Sequence, residues 1–357
     1  MHFLKTNNEE VLTLLIEQEL APLVRKIDVE GHYPKSYLQK LGSSGLFQSK
    51  GLTEKEILYN HFTTAYETSK TCMTTGFVLW CHLAAITYLQ NSRNDYLKDE
   101  ILPLLETGEL LGATGLSNPM KFYAGLEKLH LKASEVDGGY VISGHLPYIS
   151  NLCNKHWFGL IASVNETKRI MAFIPCDADK IELKEKKDFL GLNGSATLTC
   201  KFNQFFIPKK WIISENADAF VEKIRPTFVF YQIPLGLGIS KSAIQSIDKV
   251  RNKQEKCNQF LQVQSKELRE KWQTLQKEVK QIIQNGNLQR QFLKVTNIRL
   301  QVAYLTLEAI QANMLHHGGA AYLQNSEPFR LLKEGYFFAN LTPTVKHLEK
   351  LLCNFLS

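Results

Sequence analysis

The stretch that decides the fold is DGGYVISGHLPYISN at residues 137–151. Asp137-Gly138-Gly139 supplies residues that tolerate a positive φ, as a two-residue hairpin turn requires. The segment before it, Leu129-His-Leu-Lys-Ala-Ser-Glu-Val136, alternates apolar and polar, and Tyr140-Val-Ile-Ser143 follows as its partner strand. Working outward, residues 157–164, 169–175, 180–184 and 196–206 read as further short strands. Residues 111–218 are therefore expected to form a middle antiparallel β-barrel or sandwich domain.

On both sides the period changes to helical. Residues 9–25 carry Val11, Leu12, Leu15, Leu20 and Leu23 at helical spacing, with Asn8 as cap and acids in the first turn. A second helix is expected to begin at Pro34 and stop near Gly45. Residues 52–70, 74–90 and 95–106 follow, the middle one so apolar that burial on most sides is expected. Beyond the strands, helical segments are expected at 224–252, 254–283, 288–316 and 329–355. Leu261, Leu268, Leu275, Val279 and Ile282 would form one stripe of the second of these. The expectation is an α+β chain, with an N-terminal helical domain at 1–110, the β-domain at 111–218 and a C-terminal helical bundle at 219–357.

The net charge of +7 is spread along the chain. It lacks the concentrated basic stripe with exposed aromatics that nucleic acid binding needs. The seven cysteines are scattered and form no C-x-x-C, which argues against a disulfide framework or a metal site and for reduced thiols. Residues 1–10 lack the regions of a signal peptide, and no apolar run reaches about 20 residues. A cytoplasmic protein without a membrane span is expected.

Several motifs then occur in a fixed order. Gly115-Leu-Ser-Asn-Pro119 is followed by the glycine hairpin, Tyr148-Ile-Ser-Asn151, Gly191-Leu-Asn-Gly-Ser-Ala-Thr197, Phe202 and Phe206-Ile-Pro208. Ile27-Asp28, Tyr33-Pro34, Leu38, Leu41 and Gly45-Leu46 precede them; His317-Gly-Gly319, Tyr322 and Pro328 come after. Together they resemble the acyl-CoA dehydrogenase superfamily over nearly the whole chain. That resemblance implies an FAD cofactor contacted by Leu116, Ser117, Tyr148, Ser150 and Thr344. It also implies that Gly318 and Gly319 approach the FAD pyrophosphate of a neighbouring subunit, the alternative being a plain helix stop. A small-molecule substrate, an acyl thioester, is implied, together with a homodimer or homotetramer and an external electron acceptor.

The sequence departs from the family where the chemistry sits. The usual catalytic Glu falls at Thr342 in Leu341-Thr-Pro-Thr344, and the alternative location, ahead of Ile233-Pro-Leu-Gly236, falls at Pro226. Neither can take a proton near neutral pH. The family's Arg-x-x-x-Gln-x-Phe-Gly stretch is not legible around Arg269 and Gln273, and its turn Lys and strand Arg fall at Leu146 and Asn193. The catalytic residue is thus unknown from sequence. Three readings stay open. A dehydrogenase would need another base, with Glu127, Glu308 and Glu334 as candidates. A flavin-dependent monooxygenase would use a histidine or serine near the flavin, with His82, His145 and His317 as candidates. A non-catalytic binding protein would keep only the fold. Phe77, Trp80, Leu83, Phe228 and Phe230 are candidates for an apolar substrate slot, and Arg225 for meeting an anion.

Overall fold

The computed structural model describes residues 7–185 and 189–356. The leader question at residues 1–10 therefore lies partly outside the described residues. The N-terminal region holds α1 (Asn7–Leu15), α2 (Val24–Glu30), α3 (Lys35–Ser43), α4 (Glu54–Thr71), α5 (Met73–Asn91) and α6 (Leu102–Glu106). The segment expected as one helix over 9–25 is broken by a wide turn at Ile16–Leu20 and a tight one at Ala21–Leu23, where Pro22 removes a donor. Helix α1 begins at Asn7, so Asn8 lies inside it. Helix α4 starts with a capping box: Thr53 Oγ1 accepts from the Glu56 N–H and Glu56 Oε2 accepts from the Thr53 N–H, satisfying two donors that a helix start would leave free.

Helix α5 is the centre of the molecule, with residues 73–89 all buried. A buried helix start needs partners for its free N–H groups. Glu334, only 1% exposed, supplies one. Its Oε1 accepts from the Thr74 N–H at 2.9 Å and the Thr74 hydroxyl at 3.1 Å, and its Oε2 accepts from Arg330 Nη1 at 2.7 Å.

The middle region contains β1 (Gly112–Thr114), α7 (Ser117–Tyr123), β2 (Leu131–Val136), β3 (Gly139–Ile149), β4 (Trp157–Ser163), β5 (Arg169–Pro175), β6 (Ile181–Glu185), β7 (Leu198–Pro208) and β8 (Ile212–Ser214). The hairpin at 137–138 joins β2 and β3 as the sequence implied. The strand order is β6-β7-β3-β2-β4-β5-β8, with β1 beside β4. The two halves meet through a single parallel pair, Lys132 with Ser163, and fold over one another. Phe158 packs against Phe202 and Phe205 stacks on Trp211, with ring centroids 6.3 and 6.5 Å apart. This is a sandwich-like arrangement, but the sheet is open and mixed, not an antiparallel barrel. Strand β6 is exposed on almost every residue and β8 is three residues long, so neither end offers a buried face with which to close.

The C-terminal region holds α8 (Ala217–Phe230), α9 (Ile233–Val250), α10 (Ser265–Asn285), α11 (Phe292–His317), α12 (Glu327–Asn340) and α13 (Val345–Leu356). The segment expected over 224–252 divides at Tyr231-Gln232, just before Pro234. The one expected over 254–283 begins as a helix only at Ser265, because Glu255 and Lys256 take left-handed conformations; Leu261 therefore sits ahead of the stripe. The segment over 329–355 divides at Leu341-Thr342-Pro343-Thr344, where Pro343 cannot continue a helix. Among the described residues no helix is long and apolar enough to cross a membrane. The buried residues of both helical regions merge into one core, while the sheet halves enclose a second.

Replacing Glu334 by Leu should destabilise the protein by about 3–5 kcal/mol, because Arg330 and the start of α5 lose their buried acceptor. Urea unfolding of the two proteins measures this; a change below about 1 kcal/mol would show that the cap does not hold the core.

Candidate functional site

A cavity of about 600 Å³ opens where the β-domain meets α5, α8, α12 and the α12–α13 turn. One wall carries hydroxyls. Ser150, at the end of β3, pairs across an isolated bridge with Thr114. Its Oγ lies 2.7 Å from Thr197 Oγ1, which lies 2.8 Å from Ser195 Oγ. Ser117, at the start of α7, lies 3.2 Å from Thr342 Oγ1. The strand approach to this wall is bent by Leu192 and Ala196, both with left-handed φ of 62° and 47°. Each such residue costs about 1–2 kcal/mol. The bend is held by backbone bonds from Asn151 to Ser195 and Leu152 to Ala196, at 2.9 and 3.0 Å.

The opposite wall is aromatic. Phe77 and Trp80, one turn apart on α5, stack at 5.9 Å, and Phe337 and Phe228 meet them edge-on at 4.7 and 4.8 Å. Trp80 Nε1 donates to the Phe228 carbonyl at 3.1 Å, which fixes the indole. Cys81 also lines the cavity, its thiol pushed far above the usual range by burial.

A third side is charged. Lys121 Nζ donates to Glu127 Oε1 at 2.7 Å, and this bond, with the Asn118 amide, holds the Glu127 carboxyl below the usual carboxylate range. His347, 6% exposed, is lowered first by burial and then by Lys121, Lys346 and Lys350, against Glu127. Its Nδ1 accepts the Thr344 N–H at 3.4 Å, leaving the proton of a neutral ring on Nε2. Thr344 occupies the N-cap position of α13, yet its buried hydroxyl oxygen has no hydrogen-bond partner among the described residues.

Of the residues singled out from sequence, Ser117, Tyr148, Ser150, Thr342 and Thr344 come together around this one cavity, with Phe77, Trp80, Phe228 and Glu127. Leu116 is fully buried in the helical core and does not line the cavity. Gly318 and Gly319 lie at the end of α11, where an added Cβ would meet nothing within 4 Å. Glu334 is the cap of α5, and Glu308 pairs with Lys271 at the surface. His82 bridges the Gly112 N–H and the Leu105 carbonyl and is pushed down to about 3 by burial. His145 stacks on His130, and His317 bonds Ser246. None of these three histidines lines the cavity. Leu83 and Phe230 belong to the core, and Arg225 stacks on Phe292. Sequence reasoning missed His347, Lys121 and Lys346. The signal for His347 was its spacing three residues after Thr344, the position from which a side chain reaches back to an N-cap N–H.

The architecture is an α–β–α chain with a ligand-sized cavity at the junction of its layers. No family model matches the chain. It is 29% identical over 214 residues to an isovaleryl-CoA dehydrogenase of Oryza sativa subsp. japonica, covering 56% of this chain and 51% of that one. It is 26% identical over 244 residues to a short-chain specific acyl-CoA dehydrogenase of Sus scrofa, covering 64% and 58% respectively. The chain thus spans about half the length of the curated relatives it matches. The fold of butyryl-CoA dehydrogenase from Megasphaera elsdenii superposes with a TM-score of 0.85 over 100% of both chains, at 15% identity. The chain is thus similar in sequence to acyl-CoA dehydrogenases over part of its length, and it shares the fold of butyryl-CoA dehydrogenase over all of it.

The cavity bears on thiol chemistry. Cys257 and Cys353 are exposed, while Cys72, Cys81, Cys176 and Cys200 are buried and Cys153 is partly covered with its thiol raised by burial. A colorimetric thiol reagent should titrate two groups rapidly in the native protein and all seven in denaturant. Rapid labelling of Cys81 would contradict the closed aromatic wall.

Proposed function

We propose that the chain is an FAD-dependent oxidoreductase acting on an acyl thioester. The observation that carries this reading is the junction cavity, with a hydroxyl wall from the β-domain facing an aromatic wall from the helices. The residues fit a flavin. Ser117, Ser150 and Thr197 can donate to or accept from a polar ring edge, and the Thr344 hydroxyl is a buried group still lacking a partner. Tyr148 offers an aromatic face at the mouth, 6.2 Å from Phe189. The chemistry a bound FAD supplies is acceptance of a hydride from the substrate.

Within that reading, Phe77, Trp80, Phe228 and Phe337 exclude water from the acyl chain. Thr342 cannot act as base. Glu127 is the one carboxylate among the described lining residues, and the Lys121 and Asn118 bonds keep it ionised, the form that accepts a proton. We assign to it removal of the proton α to the thioester carbonyl, which makes the reaction oxidation of the substrate's CH–CH bond. A homodimer or homotetramer and an external electron acceptor belong to the same proposal. The open surface at Gly318 and Gly319 is where a second copy could approach. A flavin-dependent monooxygenase is the second reading, favoured by a threonine where the family places its carboxylate.

The test is the absorption spectrum of the purified protein before and after adding FAD, followed by anaerobic addition of acyl-CoA. Flavin bands that bleach on acyl-CoA support dehydrogenation; bands that persist support the second reading. A colourless protein that takes up no FAD overturns both. Glu127→Gln should slow exchange of the α-proton of acyl-CoA in D2O by about 10²- to 10⁴-fold. Undiminished exchange would remove Glu127 from that role.

A further inference from the structure

Arg299, on α11, is fully buried with no carboxylate partner among the described residues. Burial pushes its guanidinium down to about 9. Its Nε donates to Gln232 Oε1 at 3.0 Å and its Nη2 to the Phe338 carbonyl, near the end of α12, at 2.9 Å. Its Cζ lies 3.8 Å from the Phe338 ring centroid, and its Nη1 has no partner among the described residues. Gln232, itself fully buried, passes the contact on: its Nε2 donates to the Thr342 carbonyl at 2.9 Å. Thr342 lines the cavity and shares a hydrogen bond with Ser117. A cation thus sits behind the cavity wall, joined to it by one carboxamide.

An unpaired charge in a low-dielectric interior is costly, and a chain that buries one gains if a bound group supplies the opposite sign. The last carbonyls of α12 and the Phe338 ring offset part of that cost, being the negative ends of a helix and of a quadrupole. We infer that Arg299 is a positioning residue for the cavity: through Gln232 it sets the Thr342 turn, and its unpaired charge favours the more anionic state of a redox ring bound there. The inference rests on the flavin reading above. Reduction of such a ring adds electrons, and a fixed positive charge behind the wall stabilises the reduced state more than the oxidised one. Arg299 touches neither ring nor substrate.

The experiment measures the affinity of the protein for oxidised and for reduced FAD, anaerobically, in the native chain and two Arg299 variants. Arg299→Met should weaken reduced FAD relative to oxidised by about tenfold, which is about 30 mV of midpoint potential for a two-electron couple. Arg299→Lys, which keeps the charge, should restore most of the ratio. A purely structural role would loosen both states equally and lower the melting temperature without moving the ratio. An unchanged ratio in Arg299→Met, or an equal loss in Arg299→Lys, overturns the inference while leaving the flavin reading intact. If Arg299→Met does not fold, Gln232→Glu brings a carboxylate onto the guanidinium and should shift the ratio in the same direction; no shift there overturns it as well. A native protein that takes up no FAD in either state overturns both.

Discussion

A helix buried on every side must find partners for its ends, and that requirement organises this molecule. Helix α5 has no wet face, so its first N–H groups cannot turn to water. Glu334 answers from α12, some 260 residues later, and Arg330 one turn earlier neutralises it. The pair ties the two helical regions into one core before any ligand is considered. It also explains why an acid that looked available for catalysis is not: each of its oxygens is already engaged.

Much of the fold was legible because its signals are local. The glycine hairpin at 137–139 and the apolar run of α5 each declare themselves within a few residues. What sequence misplaced were the joints. Three of four C-terminal segments were read through their interruptions, since Pro234, Pro343 and the left-handed Glu255 and Lys256 break helices without interrupting apolar spacing. Sheet closure failed for a different reason. Whether β6 and β8 meet depends on the faces they present in space, and five and three residues of alternation carry no record of that.

Motif residues and cavity coincide in part. Ser117, Ser150, Thr342 and Thr344 come from distant segments and converge on one space. The histidines chosen from sequence lie away from this cavity, because a histidine's place is set by its neighbours. His82 serves the backbone around β1, while His347, passed over among the lysines of a terminal helix, faces the cavity. Arg299 and Gln232 were invisible for the same reason, since nothing in a 26-residue helix marks which cation is interior.

The unpartnered hydroxyl of Thr344 has a consequence for the end of the chain. A residue in that position ordinarily completes the first turn of its helix, and here His347 performs only half of that exchange, from the other side. The start of α13 thus presents an unused hydroxyl at the cavity wall. Reciprocity follows: a guest that engages Thr344 tightens α13, and any force that tugs on α13 alters the hold on the guest by the same free energy.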